Sequence, residues 1–312
     1  MRRTVAMRWT TRIAGLAGAF MAVASTTASP VLDDEHLSRG FARKLGELAD
    51  AGAAMEAAEA GRRLGAVAGH AAQVPPTAAA RAIVPAGPLY DAVLPAVVAV
   101  GSVFKCDRCS QWHLGGMASG WVVTPDGLVV TNHHVLERDA GHRFGVMTSD
   151  GEVYAITDVV ASNPDGDAAV VRIDTRGREL ACLALGEPPA CGADVSVVSH
   201  PKGRFWCLTE GAVSRYHRQR RRDRGPNGGD AVWMSVTADY AVGSSGGPVL
   251  DGAGRVVGMV SRTTTVTPRR EPPGPANEAA SAHPAPPEQM IFKDCVSADT
   301  LRAILGEAAG KP

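Results

Sequence analysis

The sequence predicts an all-β barrel or sandwich domain that follows a short helical segment. From Leu94 onward, short runs of β-branched residues alternate with turns built from Gly, Asp, Asn and Pro. Aromatic residues make up only 5% of the chain and apolar residues 45%, so we expect a core of Val, Leu, Ile and Ala. No convincing helix follows until Ser297 to Glu307. The predicted strands are Val97–Val100, Trp121–Val123, Leu128–Thr131, Val153–Ile156, Ala169–Ile173, Val195–Val198, Ala231–Val236 and Arg255–Val260.

The N-terminus has the pattern of a secretory signal peptide. Four arginines precede an apolar stretch from Ile13 to Ala24, and small residues follow. About 20 apolar residues are needed to cross a bilayer, so this stretch is too short for a stable membrane span. We therefore expect residues 1–28 to be a signal peptide and the protein to be exported, either to the periplasm or as a secreted protein. An uncleaved N-terminal anchor is the alternative.

Residues 29–72 are rich in Ala and predict a helical segment. Apolar side chains from Phe41 to Met55 recur at helical spacing, but Gly52 interrupts the apolar face. We therefore expect a solvated or loosely docked helix, with an oligomerisation or regulatory segment as the alternative. The prolines of residues 73–87 predict a linker between this segment and the β domain.

Charge is balanced over the whole chain. Lys and Arg total 32 and Asp and Glu total 32, which gives no reason to expect a nucleic-acid partner. Loss of the predicted signal peptide leaves a net charge of −4, from 28 basic and 32 acidic residues. Five arginines lie in residues 216–229, which we expect to be an exposed loop, with a docking patch for an anionic partner as the alternative. Seven prolines in residues 268–288 predict a flexible insertion.

The motif that most clearly indicates catalysis is Gly243-Ser244-Ser245-Gly246-Gly247-Pro248. Small residues on both sides of Ser245 let the backbone turn tightly and leave its hydroxyl accessible, and Gly243 can adopt a conformation that side chains forbid. The N–H groups of Gly243 and Ser245 can then point at one spot and form an oxyanion hole. A serine of ordinary pKa is a weak nucleophile, so it needs a base and an orienting acid.

Candidates for the base and the acid lie upstream, each beside a predicted strand. His133 and His134 follow one strand, and Asp165 and Asp167 precede another. The order along the chain is therefore His, Asp and Ser, which is the order of the chymotrypsin triad.

With its blocks in this order, the sequence resembles the chymotrypsin-like serine peptidases and, within them, the bacterial trypsin-like proteins of the Deg (high-temperature-requirement) type. The resemblance runs from about Leu89 to Leu305. It implies two antiparallel six-stranded β-barrels that divide near residue 185, closed by a C-terminal helix, in a peptidase domain over residues 88–308 without a PDZ domain. The blocks that carry it are Leu94–Val98, Ala118–Val135, Asp167–Val171, Gly243–Asp251 and Gly258–Ser261.

The resemblance also implies the roles of individual residues. The family has a Thr three residues before its catalytic His, which selects His134 as the base and leaves His133 as a structural neighbour. Asp167 directly precedes an apolar strand, as the orienting acid of the family does, whereas Asp165 lies in a Pro-Asp-Gly turn where Asp has a local backbone role. Ser245 is the expected nucleophile.

Two residues are candidates for binding substrate, Asp239 and Ser261. Asp239 lies six residues before Ser245, where the trypsin branch of the family has the acid that selects Arg or Lys. A partnered structural acid is the other interpretation of Asp239, and the one we favour. Ser261 ends the block that resembles the substrate-binding strand of the family.

Cys106, Cys109 and His113 lie together between the first two predicted strands. We expect a local disulfide or paired thiols that stiffen this loop. A metal site from the three side chains is the alternative, although a structural zinc wants four ligands. A redox role would need the Cys-x-x-Cys motif to open a helix.

Together these observations predict an exported serine endopeptidase that acts on protein or peptide substrates and needs no cofactor and no metal for its chemistry. A catalytically weak, peptidase-like binding module is the alternative from a different functional class. The sequence leaves open whether the protein forms a homo-oligomer.

Overall fold

The structure is a computed structural model that describes residues 31–75, 87–106, 108–218, 231–267 and 289–307. The elements below belong to the compact unit that begins at Asp33. The predicted signal peptide, the predicted Pro-rich insertion, most of the predicted linker and residues 219–229 of the predicted basic loop lie outside the described residues. None of the helices in the described ranges is long and apolar enough to cross a membrane.

Twelve described strands form two closed antiparallel barrels. The first barrel contains β1 (Val97–Lys105), β2 (Trp112–Thr124), β3 (Leu128–Thr131), β4 (Arg143–Met147), β5 (Val153–Asn163) and β6 (Ala168–Ile173), paired in the order β1-β2-β3-β6-β5-β4. The second contains β7 (Asp194–Ser199), β8 (Cys207–Arg218), β9 (Val232–Val236), β10 (Pro248–Leu250), β11 (Val256–Val266) and β12 (Met290–Ser297), paired in the order β10-β11-β12-β9-β8-β7.

This architecture confirms the predicted fold class of two six-stranded barrels. The predicted strand Leu128–Thr131 coincides with β3. The strands β4, β8, β10 and β12 were not among the predicted strands. β12 contains Lys293 and Asp294 in its middle, so it has no continuous apolar run that a sequence pattern would reveal.

β1 shows how alternation along a strand builds the core. Val98 and Val100 pack in one buried cluster with Ile156. Val97 and Ala99 point to the other face and belong to a second cluster, which also contains aromatic and leucine side chains of the N-terminal helix. Because both faces are covered, the strand is apolar almost throughout rather than at every second residue.

The N-terminal segment forms two helices, α1 (Asp34–Asp50) and α2 (Ala57–Ala66), instead of one. Gly52 follows α1 with φ of +71°, a left-handed conformation that Gly adopts at low cost and that ends a helix. Met55, which the spacing placed on a helical face, lies between the two helices.

α1 is firmly packed on the first barrel, so the prediction of a solvated or loosely docked helix was wrong. Phe41 and Leu45 are both 0% exposed. A Cβ atom at Gly101 would lie 2.6 Å from Phe41 Cε1, and one at Gly145 would lie 2.5 Å from Leu45 Cδ1. These two glycines of β1 and β4 therefore leave the space that the helix fills.

A five-residue helix, α3 (Leu89–Val93), precedes β1, and α4 (Ala298–Leu305) occupies most of the predicted C-terminal helix. The Ser297 hydroxyl caps the start of α4, and Gly306 ends it at φ of +75°. The Val74 N–H donates to the Leu305 carbonyl oxygen at 2.9 Å. The Ala72 N–H likewise donates to the Ile304 carbonyl oxygen at 2.8 Å, so the end of the N-terminal segment and the start of the predicted linker close the end of α4.

Candidate active site

The ends of two neighbouring strands of the first barrel bring His134 and Asp167 together. β3 ends at Thr131 and leads, through Asn132, into a short 3₁₀ turn over His133–Leu136. Asp167 directly precedes β6, which pairs with β3. Because the end of β3 and the start of β6 face each other in this antiparallel pair, the two functional side chains are neighbours although 33 residues separate them.

His134 and Asp167 are joined by a hydrogen-bonded contact from the imidazole to both carboxylate oxygens. His134 Nδ1 lies 3.0 Å from Oδ1 and 2.9 Å from Oδ2 of Asp167. The His134 backbone N–H also donates to Oδ1 at 3.2 Å, and the Asn132 side chain donates to the Asp167 carbonyl oxygen at 2.8 Å. With Nδ1 turned to the carboxylate, Nε2 is the ring nitrogen left for a substrate or a nucleophile.

The Asp167 carboxylate is largely buried, yet it favours the charged form. Burial by itself raises its pKa, but the hydrogen bond and charge of His134 and the hydroxyl of Ser261 lower it by more. The net result is a pKa below the ordinary value for Asp. The group is therefore an ionised acceptor at neutral pH, as an orienting acid must be.

Ser245 lies in the turn before β10, in the second barrel. Its hydroxyl donates to the Ser261 carbonyl oxygen at 3.2 Å, while the Ser261 hydroxyl donates to Asp167. Ser261 therefore links the predicted nucleophile to the predicted acid. Across the described ranges, no hydrogen bond joins His134 to Ser245; such bonds are often long in enzymes without substrate.

The peptide bond before Gly243 is oriented by a contact on its carbonyl side. The Lys202 N–H donates to the Val242 carbonyl oxygen at 2.7 Å, so the Gly243 N–H, on the opposite side of that trans peptide, points away from Lys202. Gly243 has φ of +99°, and a Cβ there would lie 2.5 Å from the His200 carbonyl oxygen. Within the described chain, neither the Gly243 nor the Ser245 N–H donates to a protein acceptor.

Comparisons with known proteins agree with this geometry. Residues 118–259 match the family model described as the trypsin-like peptidase domain. The chain carries a trypsin-like peptidase domain. The matched residues include His134, Asp167 and Ser245, and the observed pair of barrels is the fold expected for this domain.

Curated relatives of the peptidase domain are named as proteases. The chain is 32% identical over 160 residues to Protease Do-like 5, chloroplastic, of Arabidopsis thaliana, a match that covers 48% of this chain and 49% of the relative. It is 34% identical over 143 residues to a probable periplasmic serine endoprotease DegP-like of Brucella suis (45% and 26%) and 32% identical over 143 residues to Serine protease HTRA1 of Xenopus laevis (45% and 30%). The chain spans half or less of the length of these relatives.

Sequence reasoning missed two residues of the peptidase domain, Ser119 and His200, that contact the turn carrying Ser245. Ser119 and His200 are both 0% exposed. The Ser119 hydroxyl donates to the Gly243 carbonyl oxygen at 2.9 Å and lies 2.9 Å from His200 Nδ1. Since the single hydroxyl proton is used on Gly243, His200 Nδ1 is the donor to Ser119. Burial lowers the pKa of His200 to about 3, so this imidazole is neutral.

His133 does not face the predicted acid of the peptidase domain. Its Nδ1 lies 2.9 Å from the Ser162 hydroxyl, and its Nε2 lies 3.4 Å from the Glu137 carboxylate. Its side chain is 15% exposed, against 44% for His134, so His134 is the more accessible of the two histidines.

Asp239 lies at the surface of the peptidase domain. Its side chain is 86% exposed and forms an ion pair with Lys293. Next to it, the single proton of the Tyr240 hydroxyl is shared between the carbonyl oxygens of Arg262 and Asp294, at 2.9 and 3.1 Å. Tyr240 therefore contacts the paired strands β11 and β12 next to Ser261, and nothing in the sequence motif signalled this contact.

All six cysteines lie in the described ranges and are free thiols. Cys106 and Cys109, for which a local disulfide or paired thiols were predicted, have their Sγ atoms 3.2 Å apart, and His113 Nε2 lies beside both. This cluster is at the end of the β1–β2 hairpin and takes no part in the contacts of His134, Asp167 and Ser245.

Proposed function

We propose that the protein is an exported serine endopeptidase whose catalytic residues are His134, Asp167 and Ser245. One observation carries the proposal: the contacts run without a break from Ser245 through Ser261 to Asp167 and on to His134. Around them, the Gly243 and Ser245 N–H groups are left without protein acceptors in the described chain.

The reaction follows from the protonation state of each group. His134 donates its Nδ1 proton to Asp167, so Nε2 accepts the Ser245 hydroxyl proton as Oγ attacks the carbonyl carbon of the scissile bond. The tetrahedral oxyanion accepts hydrogen bonds from the Gly243 and Ser245 N–H groups, each worth about 3 kcal/mol of barrier. The imidazolium then protonates the leaving amine, and the acyl-enzyme forms.

Hydrolysis of the acyl-enzyme repeats these steps with water. His134 removes a proton from the attacking water, the oxyanion forms in the same place, and His134 returns the proton to Ser245 Oγ as the acid product leaves. Asp167 stays ionised throughout and stabilises the imidazolium, which its lowered pKa favours. No metal or cofactor is required for any of these steps.

Export is the second part of the proposal. It is supported by the arginine-led apolar stretch at the N-terminus and by relatives that are named as probable periplasmic endoproteases. We assign residues 1–28 to a signal peptide, 29–72 to the helical segment, 73–87 to a linker and 88–308 to the peptidase domain. Protein or peptide substrates follow from the same proposal.

Substitution of the nucleophile tests the activity. Ser245→Ala is expected to abolish peptide hydrolysis and to leave the melting temperature near that of the parent, since only one half-buried hydroxyl is removed. Cleavage is measured with a peptide library derived from a whole proteome. The matched control is Ser214→Ala on the exposed face of β8, which retains activity. Undiminished cleavage by Ser245→Ala overturns the assignment.

A peptidase-like binding module is the second candidate, and one observation favours it: within the described chain, Ser245 bonds to Ser261 and not to His134. A binding module holds the same peptides with and without Ser245 and releases no cleaved product. Mass spectrometry of the peptides after incubation therefore separates the two functions.

A further inference from the structure

Three metal-ligating side chains meet at the end of the β1–β2 hairpin, on the described chain either side of residue 107. Cys106 is the first residue after β1, Cys109 lies in the turn, and His113 is the second residue of β2. Their ligand atoms all lie within 4.8 Å of one another. The proposed peptidase chemistry uses none of them.

The distances within this cluster suit a single ion. Cys106 Sγ and Cys109 Sγ are 3.2 Å apart, and His113 Nε2 lies 3.5 Å and 2.8 Å from them. A point equidistant from the three atoms is about 1.9 Å from each, slightly less than the ~2.0 to 2.3 Å of zinc–nitrogen and zinc–sulfur bonds. With bonds of about 2.2 Å, an ion lies roughly 1.2 Å out of the plane of the three donors, and the donor atoms move apart by several tenths of an ångström to reach tetrahedral angles.

The hairpin that carries the cluster is held in place. His113 pairs with Phe104 across the hairpin, and their rings are 5.8 Å apart. The Lys105 ammonium lies 4.6 Å from the Trp112 ring centroid and pairs with Asp50 at the end of α1. His113 thus projects from a fixed strand, and only the two cysteines lie in a turn that can adjust.

We propose that Cys106, Cys109 and His113 bind one Zn²⁺ ion as two thiolates and one imidazole. Two sulfur donors and one nitrogen donor exclude Mg²⁺ and Ca²⁺, which take oxygen ligands, and match a borderline-soft ion such as zinc. Cys109 and His113 are exposed, so a water molecule completes a tetrahedral set. Each cysteine loses its proton on binding, so uptake of one ion releases protons to solvent.

A disulfide is the competing use of the same two thiols. It needs the sulfur atoms at about 2.05 Å, which is more than 1 Å shorter than the observed separation. It also leaves His113 without a function in the cluster, although Nε2 of this histidine is the atom nearest to Cys109 Sγ. The position of His113 is thus explained by a metal ion and not by a disulfide.

The test is zinc binding by the full chain, reduced with a phosphine that does not coordinate metals. Titration against a chromophoric chelator is expected to give one tightly bound Zn²⁺ per chain. Co²⁺ in its place is expected to show the thiolate charge-transfer band and the intense visible bands of a tetrahedral site. Cys106→Ser, Cys109→Ser and His113→Ala each lose this ion and its spectrum. The matched control, Cys191→Ser at another exposed cysteine, retains both.

Two further outcomes decide the matter. Zinc raises the melting temperature of the parent and of Cys191→Ser, because it binds the folded state, but not that of Cys106→Ser. Substoichiometric zinc in the reduced parent overturns the proposal, as does equal binding by the parent and Cys106→Ser. A Cys106–Cys109 disulfide that survives reduction also overturns it. None of these measurements uses peptide cleavage. The test of the zinc site is therefore independent of whether the protein is a peptidase.

Discussion

Asp167 has a left-handed backbone conformation, with φ of +49°. Few residues other than Gly adopt this region, and Asp and Asn are among those that tolerate it best. The conformation turns the side chain toward His134 while the backbone enters β6. The residue type is therefore constrained twice, by the backbone and by the chemistry of the carboxylate.

Asp167→Asn keeps the backbone tolerance and removes the charge. We expect kcat/KM to fall about 10³- to 10⁴-fold, because an amide cannot stabilise the His134 imidazolium and favours the wrong tautomer. Steady-state cleavage of a peptide substrate measures the effect. Asp165→Asn, two residues away, is the comparison and is expected to stay near the parent. Equal losses in the two variants contradict the choice of Asp167.

The Tyr240 hydroxyl lies 2.9 Å from the carbonyl oxygen of Arg262, the residue after Ser261, so we predict that Tyr240 borders the position of the substrate side chain before the cleaved bond. Tyr240→Ala is expected to increase cleavage after larger side chains relative to the parent, because it removes the aromatic ring from this position. Profiling with a peptide library measures this. Tyr216→Ala, a tyrosine that bonds to Pro189 elsewhere on the second barrel, serves as the control. An unchanged profile in Tyr240→Ala contradicts the role.

At the scale of the element, the turn that carries Ser245 is held by three hydrogen bonds from two strands. Ser119 of β2 donates from its backbone N–H to the Ser245 carbonyl oxygen at 2.7 Å and from its hydroxyl to Gly243. The buried Ser244 hydroxyl accepts from Ser199 at the end of β7. The conformation of the proposed oxyanion hole therefore depends on groups from both barrels, and not on the glycines of the motif alone.

Gly243→Ala tests this turn. A Cβ at Gly243 meets the His200 carbonyl oxygen at 2.5 Å and is strained at φ of +99°, so the peptide that presents the N–H group must shift. Loss of one oxyanion donor lowers kcat about 10²- to 10³-fold. The control is Gly252→Ala, which has no neighbouring atom within 4 Å and is expected to be neutral. Retention of full kcat by Gly243→Ala contradicts the proposed oxyanion hole.

At the scale of the whole molecule, the proposed active site lies where the two barrels meet, and a neutral histidine is buried there. His200 is fully buried with a pKa lowered to about 3 by burial, whereas an unfolded histidine titrates near 6.5. Between these values the unfolded chain binds a proton that the folded chain excludes, so the free energy of unfolding rises with pH. This contribution is present in full above about pH 6.5 and is lost as the pH falls.

His200→Asn removes that titrating group. The parent is expected to lose about 2 kcal/mol more of its unfolding free energy than the variant does between about pH 7 and pH 5. Urea denaturation at several pH values measures the difference. The comparison between parent and variant cancels the titration of the other histidines. Identical pH dependence in the two proteins contradicts the neutral, buried state of His200.

The sequence predicted the parts of the molecule whose signal is local. The barrels follow from strands separated by Gly and Asp turns, and the catalytic candidates follow from short motifs at strand ends. The packing of α1 was missed because its partners, Gly101 and Gly145, are recognised only once the strands are placed. Ser119 and His200 were missed for the same reason, since they meet Gly243 from 124 and 43 residues away along the chain.

The central claim is that Ser245 is an activated nucleophile, and covalent labelling tests it most directly. The folded protein is incubated with a fluorophosphonate probe, digested and mapped by mass spectrometry. The account predicts one adduct per chain, on Ser245, that disappears in His134→Ala because the hydroxyl loses its base. Absence of an adduct on the folded parent, or an adduct on another serine, contradicts the account.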